Sequence, residues 1–471
     1  LQLGRDAGMW MSVGGTKATG SDYYFKEFAD EGGYARGVDG FRTGTLQGRV
    51  WWKAFTAQWM LHSREKAVPN GAYETLFADP RMRLNDTRGL LEARFEPRLS
   101  ETVQLMSRAH LNYYGFTGKY PYDAGSMGLN EDVFRGSWAG GELRLVAQPT
   151  KAFRITAGGE GQHHFLVNTR YDDKVEPIDR DDPYQVGAGY LLADFTPSQE
   201  LRVSGGTRID WYSTFGSSVN PRAAVILHPY EGGTLKLMGG KAFRAPTPYE
   251  LYYHDNGATQ IQSPNLSPET VYSPEVEFAH RFSTTWLGIA GAYANYIKDL
   301  VVARGDSTPE SPLYYENSPS SVLTTGAEVE LRREWRQGWS FSTSYAYQHS
   351  RYQQESAGLR NVPNSPEHLA SLRGAFPIIP RTLLGSMRLS VDGGRWDRND
   401  HDGDPEQKRT DPAVIWDVVL TGETARGMLR YAFGVYNAFD WRWSVPVSND
   451  YRHMRMTQSG RTFLFSTSAH F

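Results

Sequence analysis

The chain has no cysteine among its 471 residues. That removes disulfide frameworks, thiolate zinc sites, iron–sulfur clusters and cysteine nucleophiles together. It leaves the redox compartment open, because a cysteine-free chain suits either one. No stretch approaches the ~18 to 20 apolar residues that a membrane-spanning helix needs, so a helical membrane protein is excluded. Charge of one sign is also missing: 50 basic against 53 acidic side chains leave a formal charge of −3. Without a sustained Lys/Arg run, the phosphate neutralisation that nucleic-acid binding rests on has no carrier. The chain opens at Leu1 with neither Met nor a signal peptide, which reads as a processed or trimmed product with something missing upstream.

What is present is a supply of apolar residues sufficient for a core, 48 glycines, and aromatics at 13% spread along the whole length. The periodicity is two nearly everywhere. In residues 339–348, Trp339, Phe341, Thr343, Tyr345 and Tyr347 share one face, and Ser340, Ser342, Ser344, Ala346 and Gln348 the other. That is a strand with one greasy and one polar face. The same alternation runs through Leu201–Tyr212 and Glu275–Phe282.

The connections alternate in length. Short turns, most marked by Pro or Gly, fall near 97–100, 148–151, 196–199, 229–232, 282–285, 335–338, 377–381 and 422–425. Longer polar segments fall near 66–85, 117–136, 172–182, 213–218, 246–268, 304–321, 352–365, 397–411 and 439–458. One end of the strand array is tight and the other elaborate, which is the asymmetry of an outer-membrane barrel with short periplasmic turns and long extracellular loops. The expected fold is therefore all-β, a transmembrane antiparallel β-barrel of about 22 strands, with Leu1–Leu3 the remnant of the first. Residues 1–471 form a single barrel domain, uninterrupted by any linker. Closure follows from the backbone, since in hydrocarbon every N–H and C=O must be paired and no edge can stay free. The outward face carries Leu, Val, Phe, Tyr and Trp, the inward face is polar, and a lumen of this width either needs a plug or conducts water.

Five stretches resemble one family in the right order, namely GGKAFRAPTPYELYY (239–253), SPNLSPE (263–269), NVPNSPEHLASL (361–372), VYNAFDWRW (435–443) and GRTFLFSTSAHF (460–471), and SREKAVPNGAYETLFADPR (63–81) is similar to a subgroup of that family. They are similar to the barrel of a TonB-dependent outer-membrane receptor. The resemblance implies a Gram-negative outer membrane, with outer-membrane lipid and lipopolysaccharide around the barrel. It implies energised import of a scarce small-molecule ligand, such as a ferric siderophore or a cobalamin-like chelate, and no enzymatic activity. Such receptors carry an N-terminal plug and a TonB-contacting segment, and neither appears in this chain. The TonB system is thus a partner if a plug lies upstream or in another chain. A plugless passive porin-like channel, and a structural or docking component of a larger surface complex, remain the alternatives.

Candidate ligand residues lie at the long-loop end. Tyr120, Tyr122, Tyr252, Tyr253, His254, Arg395 and Trp396 can line an external basin, where aromatic rings and Arg suit a bulky planar or anionic chelate. Asp172, Asp173, Asp179, Asp181 and Asp182 put five carboxylates in one loop, a possible calcium site and the sole cofactor candidate. The acidic run at 397–405 fails as an EF-hand, because aligning Gly403 to the loop glycine puts Arg398 and Arg409 at the end positions. His163 and His164 are strand neighbours pointing to opposite faces and cannot chelate one ion. The pairs His62-Ser63 and His349-Ser350 diverge likewise, without a third member for a hydrolase. Phe471 ends an amphipathic last strand, with Phe463, Phe465, Thr467 and Ala469 outward. It resembles the signal read by barrel-assembly machinery.

Overall fold

A computed structural model describes the chain except residues 1–3, 5, 123–128, 173–176, 307, 309, 337, 357–358, 381, 399–407, 425–426, 449 and 471; of 172, 335–336, 355–356 and 359 it describes the backbone alone. The alternating sequence forms one antiparallel sheet of 23 strands. Its spanning members are β1 (Ala7–Ala18), β2 (Phe41–Trp52), β3 (Phe55–Ala67), β4 (Arg83–Phe95), β5 (Val103–Pro121), β6 (Leu129–Thr150), β7 (Phe153–Asp172), β8 (Tyr184–Phe195), β9 (Leu201–Tyr212) and β10 (Gly216–Leu227). They continue as β11 (Gly233–Arg244), β12 (Glu275–Arg281), β13 (Trp286–Lys298), β14 (Val322–Arg336), β15 (Trp339–Ser356), β16 (His368–Ile379), β17 (Leu383–Asp392), β18 (Ala413–Thr424), β19 (Leu429–Tyr436) and β20 (Thr462–Ala469). Three short segments, Ile178–Asp181, Glu269–Tyr272 and Leu359–Asn361, continue β8, β12 and β16 past an interruption. Among the described residues this makes 23 − 3 = 20 staves, an even number close to the roughly 22 expected, while the remnant expected at Leu1–Leu3 lies outside them.

Each stave pairs with its sequence neighbour, from β1 with β2 to β19 with β20. With one exception, the turn at 213–215, the short connections fall at one end and the long ones at the other. Two details differ from the sequence reading. Residues 213–215 form a tight turn at the long-loop end, because Gly216 adopts a left-handed φ of 94° that reverses the chain within three residues. A further turn, Lys53–Ala54, and the external connection 19–40 complete the series before residue 66.

The two faces are chemically opposite. Registers place Gln58, Glu92, Arg108, Glu142, Glu160, Arg208, Asp210 and Asn220 on one side of β3 to β10. There they form a continuous inner belt. Arg108 lies 3.0 Å from Glu142, 3.7 Å from Glu92 and 3.9 Å from Glu160. Arg208 reaches Glu160 at 2.5 Å and Asp210 at 2.7 Å, and Asn220 donates to Asp210 at 3.0 Å. The other side of the same strands exposes Leu91, Leu111, Leu143, Leu191, Ile209 and Trp211, the lipid-facing surface. Glycine lets the inner wall pack closely. The Tyr190 ring lies where a Cβ on Gly158 would stand, and from there its hydroxyl donates to Glu142 at 2.5 Å.

The sheet's two ends meet at the external rim. Phe25, Phe28 and Ala35 of the connection 19–40 form a small apolar core with Phe77 and Met456. His453, from the β19–β20 connection, packs 5.0 Å from the Phe25 ring. Arg452 lies over Phe28 at 5.0 Å and 3.8 Å from Glu31, and the Tyr73 N–H donates to the Asp450 carbonyl at 2.7 Å. Loops from the first, second and last external connections thus hold the curled sheet together above its strands.

Candidate functional site

The external mouth is built on the tall side of the wall. β6 and β7 run for 22 and 20 residues, about twice the ~9 to 11 needed to cross the hydrocarbon. Their outer halves therefore stand clear of the membrane. At the top of β5 and β6, Tyr120 faces Asn130 and Gly118 faces Asp132, on the same side as the inner belt. Gly118 leaves room for the Tyr120 ring, which lies where its Cβ would stand.

A helical turn, α1 (Pro248–Tyr252), carries the other half. Its start is fixed by a capping box: the Thr247 side chain accepts from the Glu250 N–H, and the Glu250 carboxylate accepts from the Thr247 N–H. Arg244, at the end of β11, donates to Glu250 at 2.9 Å and to both Glu269 oxygens at 2.7 Å. The FRAPTPYELYY sequence is thereby a device for anchoring a tyrosine-bearing turn to the wall.

Tyr249 and Tyr253 stack at 4.6 Å and present edges to Phe134 of β6 at 6.1 and 6.2 Å. Phe134 stacks in turn on Phe116 at 5.4 Å, and Tyr73 meets Tyr120 edge-on at 5.7 Å. Burial first, and the neighbouring Asp132 next, hold the Tyr253 hydroxyl far above its ordinary range. Burial with the Asp450 carboxylate pushes Tyr73 up to about 12. These hydroxyls are neutral donors at any physiological pH.

The seven basin residues read from the sequence are all half-buried, but they fall into separate groups. Tyr120 and Tyr253 share the cluster around Asp132. Tyr252 instead lies under the Arg180 guanidinium at 5.2 Å, and His254 accepts from the Asn256 N–H at 3.3 Å. Tyr122 sits at the head of the connection after β5. Arg395 is held by Asp392 and by Asn364 at 2.9 Å. The Trp396 ring carries Arg409 at 4.0 Å, and Arg409 reaches Glu367 at 2.6 Å. This second patch bears guanidinium and carboxylate in balance.

The described carboxylates of the acidic loop each have their own donor. Asp179 accepts from Asn168 at 2.7 Å, Asp181 from the Val167 N–H at 2.7 Å, and Asp182 from Arg180. The Asp172 side chain, Asp173 and Phe471 lie outside the described residues. No grouping of metal-ligating side chains occurs among the described residues. Sequence reasoning missed Tyr73, Asn130, Asp132, Phe134 and Tyr249. The signal available for three of them was parity: Asn130, Asp132 and Phe134 alternate along β6 and face Tyr120 once its register with β5 is known.

Comparisons with known proteins agree with this geometry. A family model described as TonB dependent receptor-like, beta-barrel matches residues 2–438. An iron-regulated outer membrane virulence protein of Vibrio cholerae serotype O1 is 24% identical over 277 residues. That match takes in 56% of this chain and 40% of the relative, so the chain spans less than half of the curated relative it matches. Among solved structures, the copper transporter OprC superposes with a TM-score of 0.76 at 15% identity, over 98% of this chain and 76% of the other. A ferric enterobactin receptor mutant from Pseudomonas aeruginosa gives 0.75 at 14%, over 99% and 76%. At these identities the superpositions establish the fold.

Proposed function

Because the chain belongs to the TonB-dependent receptor β-barrel family and sits in a Gram-negative outer membrane, we propose that it is the barrel of an energised importer of a scarce chelated metal, with the ferric siderophore class favoured. The names of its relatives, an iron-regulated outer membrane protein and a ferric enterobactin receptor, support that class. The observation that carries the reading is the external mouth, where a family barrel places an aromatic cluster from four separate segments, Tyr73, Tyr120, Phe134 and Tyr249–Tyr253, on its inner face. Stacking on such rings suits a planar chelate, and Arg395, Trp396 and Arg409 form a second contact patch on another part of the rim.

In this reading residues 1–471 act as one barrel domain, the lumen is filled by a plug supplied upstream or by another chain, and the TonB system supplies energy. The small molecule enters from the long-loop end, and barrel-assembly machinery inserts the chain. The test is uptake of a panel of radiolabelled ferric siderophores by cells carrying the native protein. Accumulation of one member that collapses when the proton-motive force is dissipated is expected. Uptake that persists without that force would replace the importer by a passive channel.

A further inference from the structure

Beneath the tyrosine cluster lies a feature that stacking of a chelate does not use. Asp132 and Asn130 project side by side from the inner face of β6, with relative exposures of 8% and 1%. Oδ1 of each has no hydrogen-bond partner among the described residues. Both are acceptors, and burial with no countercharge raises the Asp132 carboxyl to about 7, so near neutral pH it is ionised only in part, and a cation beside it would favour the charged form. The basic residues nearest in the strands, Lys119, Arg135 and Arg170, stand at alternate positions on the opposite face, where Lys119 approaches Glu131 at 4.0 Å. An anion taken out of water without a countercharge is unfavourable, and its environment selects a cation.

The surroundings narrow which cation. Asp132 is close enough to Tyr73, Tyr249 and Tyr253 to act on each hydroxyl electrostatically. Tyr73 and Tyr249 nevertheless keep 43% and 42% of their surface open. Aromatic faces beside a carboxylate attract a cation that carries apolar substituents: the rings accept the alkyl groups and the charge, and the carboxylate neutralises it. A bare metal ion would instead seek several converging oxygens at short range.

We infer that the cup formed by Asp132, Asn130, Tyr73, Tyr120, Tyr249 and Tyr253 binds an organic ammonium group. On the importer reading, that group is borne by the molecule entering the mouth. The inference takes from that reading only that the long-loop end receives ligand. Equilibrium binding needs no transport, so binding without energised uptake, and uptake without binding, tell the two failures apart.

The experiment is titration calorimetry on the full-length native protein in detergent, with choline as probe and 3,3-dimethylbutan-1-ol as its neutral isostere. Choline is expected to bind at least tenfold more tightly than the alcohol. Asp132→Asn should abolish that preference, and Tyr253→Leu should weaken choline at least fivefold. If Asp132→Asn does not fold, as judged by heat-modifiable gel mobility, Tyr253→Leu and Tyr249→Leu decide. Equal binding of alcohol and choline, or choline binding unmoved by the variants that fold, overturns the assignment. Calcium displacing choline at lower concentration than choline itself requires overturns it as well, in favour of a metal site.

Discussion

Replacing Arg108 by Met tests whether the inner belt contributes to stability or is merely solvated wall. Arg108 is the cation common to Glu92, Glu142 and Glu160, and the side chains are 28% exposed for the arginine against 9%, 11% and 17% for the carboxylates. At 3.0 Å and an effective dielectric of about 20, the Glu142 contact alone is worth about 5.5 kcal/mol before desolvation. Exposed pairs retain only about 0 to 1 kcal/mol of such a gross term. A contact this sheltered, with two further carboxylates left facing each other when the cation goes, should retain about 2 kcal/mol. Met keeps the aliphatic volume, so the loss is electrostatic. The assay is reversible urea unfolding in lipid vesicles, with Glu142→Gln and the double variant completing a cycle. A coupling of about 1 kcal/mol between the two positions is expected. A single-variant loss below about 0.5 kcal/mol, or additive effects, would show that the belt is a hydrated surface whose close approaches contribute nothing.

Adjacent residues on β15 should respond oppositely to charge. Tyr345→Arg on the lipid face is expected to cost about 2 to 4 kcal/mol, and Ser344→Arg on the lumen face under about 1, in the same unfolding assay; equal costs would contradict the assigned faces. Gly158→Ala should displace the Tyr190 ring and its bond to Glu142, losing about 2 kcal/mol. Adding Tyr190→Ala in that background should cost little more, and full additivity would refute the steric link. Burial holds His453 below its ordinary value, with Glu27 opposing. As pH falls through about 6.5 the opened loops take up a proton that the closed core refuses, so closure is at full strength above that pH and weakens below it. Spin labels at Asp30 and Ser448 should report a broader distance distribution at pH 5 than at pH 7.5. The same broadening in His453→Phe would remove the histidine from the account.

Much of the fold was legible because one rule, alternation, governs every stave. Trp339, Tyr345 and Tyr347 stand on the exposed face, and Phe463 and Phe465 face away from Leu464 and Ser466, as their spacing dictates. His163 and His164 diverge as neighbours must, His164 stacking on Trp138 and Tyr184 and His163 lying beside Phe165. What escaped was wherever alternation is broken. A register shift where Trp138 pairs with His164 leaves Phe165 unpaired and changes which residues of β7 face inward, so Tyr171 comes to lie opposite Asp132. Adjacency in a loop places Tyr252 and Tyr253 in one basin, but they end a helical turn and part company there. The hairpin of β5 and β6 meets in the mouth two segments far from it in the chain, Tyr73 and Tyr249–Tyr253, and no local pattern encodes that meeting.

The uneven stature of the staves gives the barrel a slanted crown. At ~3.4 Å per residue, β6 is about 75 Å of strand while β19 and β20, with 8 residues each, are about 27 Å. On the high side the parapet is ladder hydrogen bonds, and it bends only as a sheet bends. On the low side the rim is made of connections fastened to one another by side chains, the Phe25–His453 and Arg455–Asp397 contacts among them. A molecule pressed into the mouth therefore meets an anvil on one flank and a yielding jaw on the other. The direction in which the opening can give way is fixed before any ligand arrives.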